Sequence, residues 1–323
     1  MDDGSQLFEQ TSPEKVRPEI QVWIDRLNSL VDGQQASMQL ADFGAAAIAP
    51  LKQFLSSGAP SGIFQPRQWA VEALGALGAK DALLGYLARD DHIPDPVIRQ
   101  GEDAVRNTAA RLIARWKTDE VFQVLLSLTE KRVLPGVISA LGEFRRVEAL
   151  PCLERALEDD VARPAAEEAF TKFGQAATDI LVSTASRKKM NEEEEVPSSL
   201  LRRRSAAKIL ADTGLGNPFW PSLHPLLDES DPELVVHASK FAVAVGAELD
   251  KKRAISALLR ILPDAPWYVC EDAAGCLNAL FDLGETLIEE EIARRLALPP
   301  HKRSVDNALI MLVRVRGHAQ DYH

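Results

Sequence analysis

A short pattern of small and large apolar residues recurs along the chain and restricts its fold more than any other feature. In residues 67–78, Ala70 is followed by Leu74 and Leu77, at offsets of four and three. These offsets place the three side chains on one stripe of a helix. Gly78 follows, where a helix end favours a left-handed residue. The pattern predicts a helix with one buried face.

The frame can be placed nine times between Leu40 and Leu312, which is 272 residues in eight steps, or a mean spacing of 34. The small position reads Ala36, Ala70, Ala109, Val137, Ala166, Ala206, Ala238, Ala273 and Ala308. The large position reads Leu40, Leu74, Ile113, Leu141, Phe170, Leu210, Ala242, Leu277 and Leu312. The third position reads Phe43, Leu77, Trp116, Phe144, Phe173, Thr213, Val245, Leu280 and Val315.

Glycine closes five of these helices, at Gly44, Gly78, Gly174, Gly214 and Gly246. The fourth unit departs from the pattern. It has Leu134 where several other units carry Arg, and Arg145 where they carry Gly. The phase of that unit therefore rests on its apolar residues alone.

A period of this length holds two helices of about 10–14 residues and two turns. A second apolar stretch follows most of the glycines, for example at 254–262. One helix pair cannot bury its own apolar face, so neighbours must stack. We predict an all-α fold, a right-handed α-α superhelix of about nine helix pairs. Residues 1–12 are expected to be disordered, and 13–323 to form a single solenoid with a capping helix at 13–35 and repeats at 36–323.

Composition narrows the function classes. The net charge of −11 argues against a nucleic-acid-binding surface, which needs clustered Lys and Arg. The N-terminal segment lacks the apolar core of a secretory signal, and no apolar stretch approaches the ~18–20 residues that span a bilayer. Three cysteines give no disulfide framework, and each is expected to be a small buried hydrophobe. The sequence indicates a cytoplasmic protein without a membrane segment.

The pattern resembles the HEAT repeat family, in particular the short bacterial type found in phycobilin lyases. Residues 67–78, 105–116 and 268–280 carry the resemblance best, and it covers roughly 30–320. The resemblance implies an armadillo-like helical solenoid whose second helices face a concave surface. It implies almost nothing about activity.

The expected binding residues lie on these second helices, together with two tryptophans near the starts of first helices. No catalytic constellation or zinc spacing is present, so we expect no metal and no cofactor, and catalytic residues remain unassigned. Oligomeric state is likewise open. The candidate partner-binding residues are Tyr86, Arg89, Arg155, His224, Arg253, Arg260, Trp69 and Trp267.

Two further features admit either a structural or a binding role. Arg recurs three residues before the small position, at Arg67, Arg106, Arg163 and Arg203. It either pairs with acids of neighbouring units or forms a cationic row for an acidic partner. Insertions at 56–66, 90–103 and 185–200 all follow second helices and should project from one edge. They are either mobile loops or partner-binding loops, and the charge run in 185–200 favours solvated chain.

Three functions follow. The first is a non-catalytic scaffold that binds a protein or peptide on its concave face or loop edge. The alternative, implied only by the resemblance, is a subunit of a bilin lyase or isomerase that acts on a tetrapyrrole-carrying protein. The third is a HEAT-like DNA glycosylase for alkylated bases, which would need a basic channel that the net charge of −11 opposes.

Overall fold

The computed structural model describes residues 17–57, 60–89, 92–299 and 306–320. The chain divides into two compact units, Met1–Ala140 and Leu141–His323, and each is described by itself. The predicted disordered segment 1–12 lies outside the described residues, as does the start of the predicted capping helix. The single solenoid over 13–323 and its right-handed path stay predictions.

The first unit is built from helices of 8 to 18 residues. Asp95 begins one of them as an N-cap that accepts hydrogen bonds from two backbone N–H groups, and Pro96 follows in the first turn. The helices are α1 (Pro18–Arg26), α2 (Gly33–Asp42), α3 (Ile48–Ser57), α4 (Gln65–Ala76), α5 (Lys80–Leu87), α6 (Pro96–Ile113), α7 (Asp119–Lys131) and α8 (Pro135–Phe144), which contains the boundary.

The second unit continues the same alternation and adds one two-stranded hairpin. Its helices are α9 (Leu150–Ala156), α10 (Arg163–Phe173), α11 (Thr178–Ser186), α12 (Pro197–Thr213), α13 (Trp220–Leu223), α14 (Pro232–Val245), α15 (Glu248–Ile261), α16 (Trp267–Ala279), α17 (Phe281–Leu296) and α18 (Asn307–Gln320). The strands are β1 (Met190–Asn191) and β2 (Glu194–Glu195). No helix in the described part of the chain is long and apolar enough to cross a membrane.

The small and large positions of the repeat form the core, as predicted. Every residue at the small position, from Ala36 to Ala308, is at most 1% exposed, and every residue at the large position is fully buried. The third position is less regular because it falls at or just beyond the helix end. Val245 there is 45% exposed, and Thr213 is also exposed. The all-α prediction and the phase of all nine frames are confirmed.

Within each unit, helices pack on the helices one period away. First helices contact first helices, as in α2 on α4, α4 on α6, α12 on α14 and α14 on α16. Second helices contact second helices, as in α3 on α5, α5 on α7 and α15 on α17. This is stacking by translation, in which each helix pair buries the face that its neighbour leaves open.

The helix ends confirm the phase of the fourth unit. Gly44, Gly78, Gly174 and Gly214 all have positive φ, which glycine adopts without a steric penalty. Arg145 occupies the equivalent place in the fourth unit and has φ of 52°. The chain therefore makes the same left-handed turn there with a residue that has a Cβ, at a cost of about 1–2 kcal/mol.

The Arg row faces inward. Arg67, Arg106 and Arg203 are 5% exposed or less, and each donates to a backbone carbonyl at the end of the preceding second helix. A guanidinium there satisfies a carbonyl that has no partner within its helix and sits favourably on the helix dipole. Arg163 is half-buried and pairs with Asp160 at 3.0 Å. The contacts therefore support the interpretation in which these Arg residues pair with groups of neighbouring units, and not the one in which they form a cationic row for an acidic partner.

Arg67 also makes the most completely buried ion pair of the first unit. Its Nε and Nη2 donate to the two carboxylate oxygens of Glu102 at 2.9 and 3.0 Å, and Glu102 is 1% exposed. The Tyr86 hydroxyl donates to Glu102 Oε1 at 2.7 Å. Burial and the nearby Glu102 carboxylate raise the pKa of Tyr86, which keeps the hydroxyl as a donor at neutral pH.

The insertions are ordered wherever they are described. Gly101, near the start of α6, packs against the backbone of Ser61 and Gly62, so the first two insertions lie against each other in the first unit. In the second unit, the charge run of 185–200 forms the β1–β2 hairpin, and its residues 186–194 are exposed to solvent, as predicted. Arg203 fixes the base of this hairpin, because its guanidinium forms ion pairs with the carboxylates of Glu195 and Glu229, each at 2.6 Å.

Replacing Arg145 with Gly should stabilise the protein. Glycine removes the steric cost of positive φ at this turn, so we expect a gain of about 1 kcal/mol in the free energy of unfolding. Urea denaturation followed by circular dichroism measures it. Arg146→Gly is the control, because Arg146 has φ of −93° and gains no such relief. A loss of stability in Arg145→Gly would contradict this account of the turn.

Replacing Glu102 with Gln should destabilise the first unit. The substitution leaves the Arg67 guanidinium buried without its counter-charge, which costs about 3 kcal/mol. Native-state hydrogen exchange of the α4 and α6 amides reports the loss locally. Glu120→Gln is the matched control, since Glu120 pairs with Lys80 at 2.8 Å but is 64% exposed, and a surface pair contributes about 1 kcal/mol at most. Equal effects of the two substitutions would refute the prediction.

Candidate functional site

A groove opens between first helices of the second unit. It has a volume of about 260 Å³ and lies chiefly between α14 and α16, with one residue from α12. We call it the α14–α16 groove. Its lining residues are Lys208, Glu233, Val236, His237, Tyr268, Val269 and Asp272.

Exposed aromatic residues stand at the start of α16. This helix begins at Trp267, directly after Pro266, and Trp267 and Tyr268 are 44% and 59% exposed. The Tyr268 hydroxyl donates to Glu233 Oε1 at 2.9 Å, and this hydrogen bond raises the pKa of Tyr268. The hydroxyl is thereby fixed while the ring stays open to solvent, which is the arrangement of an interface anchor.

His237 is the most unusual lining residue. It is 7% exposed, and neither ring nitrogen forms a hydrogen bond to the described part of the protein, with Nδ1 fully shielded from solvent. Burial, and secondarily the charge of Lys240, lower the pKa of His237 to about 4. The imidazole is therefore neutral at pH 7.

The charged lining residues are occupied by one another or by residues outside the groove. Glu233 accepts from Tyr268 and pairs with Arg204 at 2.8 Å. Asp272 pairs with Lys240 at 2.9 Å. Lys208, whose side chain is half exposed, reaches Glu167 on α10 at 3.1 Å. Each of these pairs joins one first helix to the next. The charged side chains at the rim of the groove are therefore already paired with opposite charges.

The cysteines lie in the core, as predicted. Cys152, Cys270 and Cys276 are all buried thiols outside any disulfide. Burial raises the pKa of Cys276 to about 11, so that thiol stays protonated. Across the residues that the structure describes, no three His, Cys, Asp or Glu side chains come together in a group that could hold a metal ion.

Three of the predicted binding residues come together in the second unit. His224 lies edge-on to the Trp220 ring, with 6.0 Å between ring centroids. Arg253 pairs with Asp228 at 3.0 Å, and Arg260 donates to the carbonyl of Leu227 at 2.7 Å. His224 therefore lies within the segment 220–229, and Arg253 and Arg260 contact this segment from outside and support its turns. The exposed Arg155 lies on α9.

The predicted residues of the first unit are less open than expected. Tyr86 is 4% exposed, because its hydroxyl turns inward to Glu102, which corrects the expectation of an exposed side chain. Trp69 is half-buried with its ring against Gly33. Arg89 is half-buried and donates to the Leu55 carbonyl at 3.0 Å. Tyr86 and Arg89 line a groove of about 260 Å³ between α3 and α5.

Tyr268 and His237 are not among the predicted binding residues, because they lie on first helices, whereas the family resemblance favours second helices. Tyr268 stands next to the predicted Trp267, and a pair of adjacent aromatics at a helix start was a usable signal. His237 directly precedes the small position at Ala238, where burial was readable but the absence of a partner was not.

Stability should depend on pH through His237. Its pKa is about 4 in the folded chain against about 6.5 when unfolded, so the unfolded chain binds the extra proton first. This contribution is present above pH 6.5 and is lost as pH falls towards 4. Between pH 7 and 4 we expect a loss of about 3 kcal/mol from this group. Urea denaturation across this range should give a shallower dependence for His237→Phe, and identical slopes would contradict it.

One comparison with known proteins, the family-model match, agrees with the fold. Residues 96–171, from the start of α6 into α10, match the family model of HEAT repeats. No curated protein matches the chain. Among solved structures, one chain of the complex of CpcE and CpcF of phycocyanin lyase from Nostoc sp. PCC7120 is similar, at 19% identity and a TM-score of 0.36, over 87% of this chain and 100% of that chain. That similarity does not extend the activity of the complex to this protein. Residues 96–171 therefore contain HEAT repeats, as the recurring Ala and Leu positions in this range predict.

Proposed function

We propose that this chain is a protein-binding module whose α14–α16 groove and the aromatic residues beside it hold a segment of a partner protein. The observation that carries the proposal is Tyr268, 59% exposed at the rim of a groove of about 260 Å³ and fixed by its hydrogen bond to Glu233. Exposed aromatics held in this way contribute strongly to binding energy, because little rotamer entropy is lost when they are covered.

Two properties of the chain support a protein rather than a nucleic acid as partner. The net charge is −11. The Arg residues that could have formed a cationic row are turned inward onto carbonyls and carboxylates, as Arg67 and Arg203 show. Neutralisation of phosphates needs exposed Lys and Arg, so the paired rim of the groove does not suit a polynucleotide.

The proposal is tested by capture of partners from an extract of the source organism. A tagged chain is compared with its Tyr268→Ala variant, and bound proteins are quantified. Loss of a dominant anchor costs about 2 kcal/mol, or roughly 30-fold in Kd, so the variant should lose its specific partner. Leu249→Ala is the control, since Leu249 is an apolar side chain of the same unit with 71% exposure, outside the groove. Equal capture by all three proteins would refute the role of Tyr268.

The bilin-lyase hypothesis drawn from the family resemblance stays a prediction. It is tested by adding a free bilin to the purified chain and recording the visible absorption spectrum. A saturable spectral change would support this alternative, and its loss in Tyr268→Ala would place the bilin at the same groove. An unchanged spectrum would leave the protein-binding proposal as the sole candidate of the two.

A further inference from the structure

The α14–α16 groove has the chemistry of a pocket for one specific side chain. Its floor is apolar, formed by Val236 and Val269, which are 2% and 3% exposed. Tyr268 supplies one aromatic wall. The two valines expose little area, so a guest packed on this floor gains chiefly from the exposed Tyr268 ring that it removes from water.

Size limits the guest. A volume of about 260 Å³ lies just below the range of roughly 300–1,000 Å³ that is typical of pockets for drug-sized ligands. The groove therefore suits one large side chain and not a multi-ring cofactor enclosed as a whole. An aromatic side chain fills such a space at a cost of only two rotatable bonds.

The charged side chains around the groove further restrict which guests it can bind. Glu233 and Asp272 each have a cation already in contact, Arg204 and Lys240, and Lys208 has Glu167. These pairs are partly exposed, so breaking one costs about 1 kcal/mol at most, but a charged guest on the buried floor would lack a counter-charge of its own, which is costly. An uncharged guest disturbs none of them.

His237 determines which hydrogen-bonding group the guest must carry. Within the described residues it is the polar lining side chain that makes no hydrogen bond, although it is 7% exposed. Buried polar groups are nearly always hydrogen-bonded, and an unsatisfied one costs about 1–3 kcal/mol. A guest with one O–H or N–H group can donate to Nε2 of the neutral imidazole, the ring nitrogen that is not fully shielded.

We infer that the α14–α16 groove takes the ring of a tyrosine or tryptophan side chain from the partner protein, and that His237 recognises the hydroxyl or indole N–H of that ring. This inference rests on the proposed function and names the partner chemistry. The ring lies on Val236 and Val269 beside Tyr268, where an offset or edge-to-face contact adds to the apolar burial.

Small aromatic probes test the inference on the full chain. The chain is labelled with ¹⁵N-histidine and titrated separately with p-cresol, indole and toluene. The His237 imidazole signals should shift and saturate with p-cresol and indole. Toluene lacks the hydrogen-bonding group, so it should bind about 3- to 10-fold more weakly. Absence of a His237 shift, or equal Kd values for p-cresol and toluene, overturns the inference.

Variants separate recognition from simple burial. In His237→Phe the preference for p-cresol over toluene should fall to about one, while toluene still binds. His224→Phe is the matched control, because His224 is a second histidine of the same unit with an unpartnered Nδ1 but lies outside this groove, and it should keep the preference. If His237→Phe fails to fold, the comparison of p-cresol with toluene on the unmodified chain still decides.

The outcomes distinguish this inference from the proposed function. Probe binding as expected, with no partner lost in Tyr268→Ala, would leave the pocket chemistry intact and refute the docking role. A partner that depends on Tyr268, with no probe effect at His237, would support docking and refute the ring-in-pocket inference.

Discussion

The structure depends on one constraint: a single helix pair in this chain has more apolar surface than it can bury by itself. The small residue at positions such as Ala70 and Ala206 lets the first helices approach, and the large residue four positions later fills the space between them. Burial is complete only when a neighbour is stacked on each side. The helix boundaries, the turns and the grooves between first helices are consequences of that spacing.

Polar groups are fitted into this apolar design at the helix ends. Arg67 and Arg203 reach back to carbonyls that the preceding helices leave without a partner, and carboxylates from neighbouring units neutralise them. These contacts hold both the turn and the next unit in place. Ion pairs between neighbouring helices also occupy the charged side chains beside the α14–α16 groove, where Lys240 pairs with both Asp212 and Asp272.

Sequence reasoning predicted the fold in detail where burial follows from periodicity. Every small and large position was placed correctly, and the fourth unit has a positive φ at Arg145, where the sequence lacks the usual Gly. The third position was less predictable because it lies where the helix ends. Tyr86 was misjudged because Glu102, a residue 16 positions away, turns its hydroxyl inward. The charge run at 185–200 is exposed, as predicted, but its hairpin depends on a contact between Glu195 and Arg203 that composition does not show.

The candidate site was harder to predict for the same reason. A groove exists between two helices and belongs to neither sequence segment alone. Tyr268, Val269 and Asp272 come from α16, while Glu233, Val236 and His237 come from α14, about 34 residues earlier. Nothing local to His237 shows that its imidazole has no partner. Such a site can be read from sequence only when the facing positions of adjacent units are examined together.

The buried polar contacts also solve a problem that a repetitive core creates. Ala and Leu positions are almost interchangeable between units, so a stack displaced by one whole repeat, or shared between two copies of the chain, would bury nearly the same apolar surface. The polar sets are not interchangeable, since Arg67 meets Glu102 with Tyr86, whereas Arg203 meets Glu195 with Glu229. A displaced stack would leave these charges buried without their partners, which costs free energy. The ion pairs therefore favour the native pairing of each helix hairpin with its own neighbour.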